Sequence, residues 1–291
     1  MFAQQLVNGI VLGSTYALIA LGYTMVYGIA ELINFAHGEI YMFGAFIGLF
    51  MVTMFELPFL VALGIAMLAA AALGVAVEFF AYKPLRRSSR LAVLISAIGM
   101  SILLQNIALL RWGPQSRSFP RPFTVTTINL PLDIQISTLQ IYILVISLVL
   151  MVGLHFLVTK TKVGKAMRAT AQDKEAASLM GINVNRIISF TFAVGSALGA
   201  AAGVMVGIYF NSVTPTMGLL PGLKGFVAAV LGGIGNIPGA MLGGILLGVA
   251  ETMGVAYGDS RYRDAIAFTI LIVVLLFKPS GLLGKNIQDK V

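Results

Sequence analysis

No cysteine occurs among the 291 residues, which excludes a disulfide framework, a thiolate metal site and a cysteine nucleophile. Charge is nearly as scarce. Lys, Arg, Asp and Glu make up 10% of the chain against 58% hydrophobic residues, and mean hydropathy is +0.95, too little polarity to cover a soluble surface. No G-x-x-x-x-G-K-[ST] is present, so the chain has no phosphate-cradling loop and does not hydrolyse ATP itself. No Lys or Arg precedes Lys83. Without a basic n-region, the first apolar run is expected to be a retained span and not a cleaved leader. The sequence offers no catalytic group, no metal set and no cofactor motif. Its net charge of +8 invites a nucleic-acid reading, but the basic residues cluster between apolar runs. Loop orientation and anionic headgroups account for them, and no nucleic-acid partner is expected.

What is present is a series of apolar runs of about twenty residues, long enough to cross a bilayer as helices and unlike the alternating ten-residue segments of a barrel. The expected fold is all-α: a single polytopic helical membrane domain over 1–291 with about eight membrane segments. These fall at roughly 6–28, 38–55, 58–81, 91–110, 139–158, 187–209, a glycine-rich stretch 225–254, and 264–277. Lys83, Arg86, Arg87 and Arg90, the six basic residues of the loop 160–186, and Lys278, Lys285 and Lys290 hold thirteen of nineteen positive charges and mark the cytoplasmic side. Arg111, Arg117, Arg121, Lys224, Arg261 and Arg263 fall in segments assigned outside. The Pro-rich segment 112–138, with Pro114, Pro120, Pro122 and Pro131, reads as a long external loop, free in solvent or a docking surface for a partner.

Two stretches break the helical pattern. In 225–254, Gly232, Gly233, Gly235, Asn236 and Pro238 interrupt a run of about thirty residues, where two full crossings need about forty. The choice lies between a re-entrant hairpin of two half-helices beside the pathway and a single long kinked crossing. The second break, Glu31 to Glu39, places Asn34, His37 and Glu39 between strongly apolar spans. Ionisable groups at membrane depth are costly and normally face a cavity or pair. They read either as a proton relay or as pathway-lining structural groups, with Asn34 and Glu39 satisfying backbone donors at an unwound turn. His155, at a span's cytoplasmic end, reads as interfacial. Gly195, Gly199, Gly203 and Gly207 recur every fourth residue, and Gly9/Gly13 and Gly44/Gly48 repeat the spacing. This is a close-packing pattern, serving either contacts within the chain or a seam with a second membrane subunit.

The polar stretch 160–186 contains Glu175, Ala176, Ala177 and, after three residues, Gly181. A short helix capped by Asp173 and stopped by a left-handed turn at Gly181 would present Lys174, Glu175 and Ser178 to the cytosol, where a soluble partner could grip it. This E-A-A-x-x-x-G spacing resembles the ATPase-coupling loop of ABC importer permeases, although the Ile-x-Leu-Pro ending of many of them does not follow Gly181. With Asn34-Phe35-Ala36-His37-Gly38, and Gly222-Leu223-Lys224-Gly225-Phe226 running on to Gly232-Gly233 and Pro238-Gly239, the chain resembles, end to end, LivH-type permease subunits of high-affinity branched-chain amino acid ABC importers. The resemblance implies a bacterial inner-membrane subunit that moves leucine, isoleucine or valine by alternating access. It also implies partners: a second homologous permease subunit, two ATP-binding subunits, a periplasmic substrate-binding protein and the surrounding lipid bilayer. A related permease for urea, short amides or other amino acids is the near alternative, and an ion-coupled carrier using His37, Glu39, Glu78 or Glu251 the distant one.

Overall fold

The computed structural model describes residues 2–86, 88–121, 123–130 and 134–284; Arg87, Pro122, Pro131, Lys285 and Lys290 lie outside them. The chain is a polytopic bundle, with six helices among the described residues long and apolar enough to cross a membrane. Its axis is α1, Phe2–Ala30, apolar on every face, which suits only a helix surrounded by others. Five helices enclose it: α2 (His37–Thr53), α5 (Thr138–Lys160), α8 (Val184–Tyr209), α9 (Leu219–Gly232) and α10 (Ile237–Tyr257). Outside them lie α3 (Phe59–Val77), α4 (Arg90–Trp112) and α11 (Arg263–Phe277). These carry Leu60, Leu68, Ile95, Leu110, Ile272 and Phe277 exposed, a surface suited to lipid or to other subunits.

Glycines set the closest approaches. Gly9 and Gly13 of α1 lie against the α10 backbone at Val249 and Ile245, while Gly244 and Gly248 of α10 lie against Ala17 and Gly13. The two helices therefore run antiparallel in backbone contact. Gly44 and Gly48 of α2 meet Ala200 and Val204 of α8 in the same way, and these two helices run parallel.

The basic loops gather at one end of the bundle. There Lys174 reaches Glu31, Arg86 reaches Asn185, and the chain after α11 meets the end of α9. At the opposite end Gln4 bonds Gln135 and Arg117 pairs backbone to backbone with Val213. That end includes the segment 112–138, which is not wholly loop: β1 (Thr127–Leu130) and β2 (Ile134–Ser137) pair antiparallel. The strands are short, and the proline count of the segment masked them. At the same end Asp259 accepts two hydrogen bonds from the Arg261 side chain, which hold its carboxyl below the usual range.

The glycine-rich stretch differs from its expected bounds. It comprises α9 of 14 residues and α10 of 21, starting at Leu219. At 1.5 Å per residue α10 is about 32 Å long and α9 about 21 Å, so α10 matches the hydrocarbon thickness and α9 does not. The arms are unequal, and the thirty-residue arithmetic undercounts them. Residues 219–224 look like loop because they contain Pro221, Gly222 and Lys224. Proline is harmless in a first helical turn, and Lys224 is not a loop residue: it is buried inside α9.

Candidate functional site

The break after α1 is built by two residues. Glu31 adopts φ 61°, a left-handed conformation that ends α1 without the glycine such a stop usually uses. The chain then returns extended along α1, and α2 starts at His37 beside Gly22, about two turns short of the α1 terminus. The side-chain oxygen of Asn34 accepts from Ala36 N at 3.1 Å and from the Tyr82 hydroxyl at 3.0 Å, so it serves a backbone donor that unwinding frees. Tyr82 is placed to do this by the wider, π-helical winding of 78–82 that continues α3.

His37 and Glu39 do not meet as a relay. The His37 ring lies between Gly22 of α1 and Gly199 of α8 and stands edge-on to Tyr23 at 4.8 Å. Glu39 takes a hydrogen bond from Ser101 at 3.4 Å and faces Gly218, the residue before α9. The N-termini of α2 and α9 thus converge inside the bundle, Gly38 against Gly218 and Gly222, and their partial positive charges favour a carboxylate at this point. Glu39 supplies it.

The four-residue glycine row on α8 is used up inside the chain. Gly195 packs on Gly22, Gly199 on His37, Gly203 on the Tyr41 backbone of α2, and Gly207 on Phe119 and Val213. At the turn between α9 and α10, Gly233 and Gly235 have φ of 103° and 90°. Asn236 caps α10 by accepting from Gly239 N at 3.1 Å and donates to Leu283 O at 2.6 Å, and Pro238 occupies the first turn of α10. Leu282 N and Leu283 N donate to Leu231 O and Gly232 O at 2.8 and 3.0 Å. The chain beyond α11 therefore satisfies carbonyls that α9 leaves free at its end, so part of the broken backbone finds its partners within the protein, while Gly235 and Pro238 are exposed.

The polar stretch contains two helices, α6 (Lys162–Gln172) and α7 (Lys174–Leu179). Asp173 caps α7 by accepting from Glu175 N and Ala176 N at 2.8 and 2.9 Å. Gly181, with φ 82°, closes it: Gly181 N bonds Ser178 O and Ile182 N bonds Ala177 O, both at 3.0 Å, the paired bonds of a left-handed stop. Ala177 is buried, whereas Glu175, Ala176 and Ser178 are exposed together with Leu179 at 89% and Met180 at 82%. Two large apolar side chains standing in water beside a capped helix form a surface that another protein would cover.

Three polar contacts escaped the sequence reading. Lys174 Nζ lies 3.1 Å from Glu31 Oε2 and 3.2 Å from Ala30 O, so α7 is fastened to the end of α1 at the break. Glu78 pairs with Arg86 and accepts from Ser189 at 2.7 Å. Lys224 Nζ lies between Glu251 Oε1 at 3.0 Å and Asp264 Oδ1 at 2.7 Å, and Glu251 also accepts from Tyr16 at 3.0 Å. The last pair had a signal: one Lys and one Glu of opposite charge, each within an apolar helix, are expected to find each other.

The family described as branched-chain amino acid transport system / permease component matches residues 5–275. The chain belongs to that family. Among its relatives, the high-affinity branched-chain amino acid transport system permease protein BraD of Pseudomonas aeruginosa is 46% identical over 304 residues, covering 100% of this chain and 98% of the relative. LivH of Escherichia coli K12, described in the same words, is 44% identical over 301 residues with the same coverage. A solved structure, PsaBC from Streptococcus pneumoniae in complex with Fab, aligns over 96% of this chain and 92% of its own at TM-score 0.46 and 13% identity, too distant to support any further step. As a member of this family the chain is a non-catalytic, multi-pass permease component of a transport system.

Proposed function

We propose that this permease component imports branched-chain amino acids across the bacterial cytoplasmic membrane by alternating access, driven by ATP hydrolysed on two separate subunits. In this reading it works beside a second homologous permease and receives substrate from a periplasmic binding protein. The basic end of the bundle faces the cytoplasm, as the excess of Lys and Arg there requires. Asp173, Glu175, Ala176, Ala177 and Gly181 form the element that the ATPase grips. The break at Asn34, His37 and Glu39 and the turn at Gly232, Gly233, Gly235, Asn236 and Pro238 border the route, with the short α9 running to the basic end and α10 returning across the bundle.

The observation that carries the proposal is α7: capped at both ends, exposed with apolar side chains on the basic end, and joined through Lys174 to the helix that ends at the break. An ion-coupled carrier would need no such handle. Glu78 and Glu251, two carboxylates it could titrate, are held by Arg86 and Lys224. The substrate assignment follows the descriptions of BraD and LivH.

The test is uptake by the complete assembly in sealed vesicles. Leucine should enter with ATP and without an imposed ion gradient. Uptake that collapses with a protonophore while ATP is held constant, and that is lost in Glu39→Gln, would overturn the ATP-driven reading.

A further inference from the structure

At the end of the bundle opposite α7, α1, α2, α8, α9, α10 and α11 enclose a cavity of about 500 Å³. One part of its wall is apolar, formed by Leu12, Ile19, Val206, Met217 and Leu220. The other is charged, and it holds the Lys224 cluster. The Lys224 and Glu251 side chains are 6% and 0% exposed, whereas Asp264 and Arg263 are 47% and 43% exposed at the mouth.

The cluster contains two cations and two anions, so it is neutral as it stands, but it is not fully satisfied. Arg263 Nε lies 3.1 Å from Glu251 Oε1 without donating a hydrogen bond. Tyr41, wholly buried, lines the same cavity with a hydroxyl that has no partner among the described residues. The half-exposed Asp264 closes the ion-pair cluster at the mouth, so the space is bounded by a Lys–Asp pair on one side and by hydrocarbon on the other.

We infer that this cavity is a transient binding site for a zwitterionic α-amino acid with an apolar side chain. The substrate carboxylate takes the place of Asp264 on Lys224 and gains Arg263. The released Asp264 accepts the α-ammonium, and the hydrocarbon side chain lies on Leu12, Ile19, Val206, Met217 and Leu220. The exchange conserves ion pairs: Lys224 keeps Glu251 throughout, and the substrate brings one charge of each sign. A carboxylic acid alone displaces Asp264 from Lys224 and gives it no new partner, and an amine alone draws Asp264 away and brings no carboxylate to Lys224, so neither replaces the ion pair it opens and the site selects for both groups together. The exchange also replaces the direct Lys224–Asp264 link between α9 and α11 by one through the substrate, so occupancy is felt by the helix that leads into the glycine turn.

This inference rests on the importer reading, and its test separates the two. The chain has no cysteine, so Met217→Cys and Leu220→Cys each introduce a single thiol on the cavity wall, with Tyr257→Cys, 65% exposed and outside the cavity, as the control. Membranes carrying both permeases and the ATPases, without the binding protein, are treated with a small impermeant thiol reagent. Millimolar leucine should slow labelling at 217 and 220 and leave 257 unchanged. 4-Methylpentanoic acid, lacking the ammonium, and 3-methylbutylamine, lacking the carboxylate, should not protect. Asp264→Asn should raise the half-protecting leucine concentration about tenfold, the loss expected for one charge-assisted hydrogen bond. The inference is overturned by absent labelling at both wall positions, by no protection, by equal protection from all three compounds, or by equal slowing at 257. If the complete assembly imports leucine while any of these holds, only the subsite is lost. If it imports no leucine, the importer reading is lost with it.

Discussion

Helix α7 is six residues long, and an isolated helix below about twelve residues is marginal in water. It persists through three local features: the Asp173 cap, the Gly181 stop and the burial of Ala177. Removing a cap of this kind costs about 1 kcal/mol. A β-carbon at a backbone angle of 82° adds about 1–2 kcal/mol. The double variant Asp173→Ala/Gly181→Leu should therefore open α7 by about 2–3 kcal/mol, raising its unwound fraction about 30- to 150-fold, while the spanning helices, which share none of these contacts, stay folded. Hydrogen exchange should quicken at Ala177 and Ile182 and not in α1 or α8. Leucine uptake by the full assembly and co-purification of the ATP-binding subunits should both fall to background. The single variant Glu175→Ala separates structure from docking, because the Glu175 side chain makes no contact that the fold needs among the described residues. It should lose uptake with α7 still wound. Faster exchange in α7 with uptake and ATPase retention unchanged would refute the coupling assignment.

Three further outcomes are expected. Lys174→Glu places like charges at Glu31 and should lower uptake with little change in thermal stability, since a solvated pair is worth about 1 kcal/mol or less; Glu31→Lys in the same chain should restore it, and failure of the swap would show that the pair transmits nothing. Gly233→Leu or Gly235→Leu should block uptake more than Ile272→Phe, because both glycines have positive φ and Gly233 is packed on the backbone of Ser280 and Gly284, whereas Ile272 is 57% exposed; equal effects would remove the turn from the route. Cysteines at Leu220 and Gly258 should both label from outside intact cells, and labelling of only one would make the path from α9 through α10 a single crossing.

The architecture was legible because its signals are long. Spans of about twenty apolar residues, a cluster of Lys and Arg between two of them, and a cap and glycine stop flanking α7 each depend on several residues agreeing. Asn34 was legible for a local reason: a short side-chain amide within an apolar run has its own backbone to satisfy. The misses have physical causes too. Glu31 ends α1 at positive φ, where the sequence offers neither Gly nor Asn, so nothing local announces the stop. Lys224 was read as a loop residue because a buried Lys costs too much alone, and its cost is offset by Glu251 and Asp264, 27 and 40 positions away. Gly195 to Gly207 showed close packing but not its target, since the fourfold spacing describes one helix and says nothing of what faces it.

The two helix starts inside the bundle explain how a weak force at α7 could matter. Unwound backbone at membrane depth is stable only while every freed donor and acceptor keeps a partner. Here the partners are few and identifiable: Asn34 and Tyr82 at the α2 start, Leu282 and Leu283 at the α9 end. A full-length helix would have to move as a rod or break many backbone bonds, whereas α2 and α9 already end where they must pivot. Their N-termini meet through the backbones of Gly38, Gly218 and Gly222, with the Glu39 carboxylate beside Gly218, so relative tilt displaces little side-chain bulk at the contact. On the proposed reading, α7 draws on the end of α1 through Lys174 and Glu31, one extended segment away from that pivot. The ATPase then has only to shift the balance between two arrangements of a joint that the glycines keep close and free of large side chains.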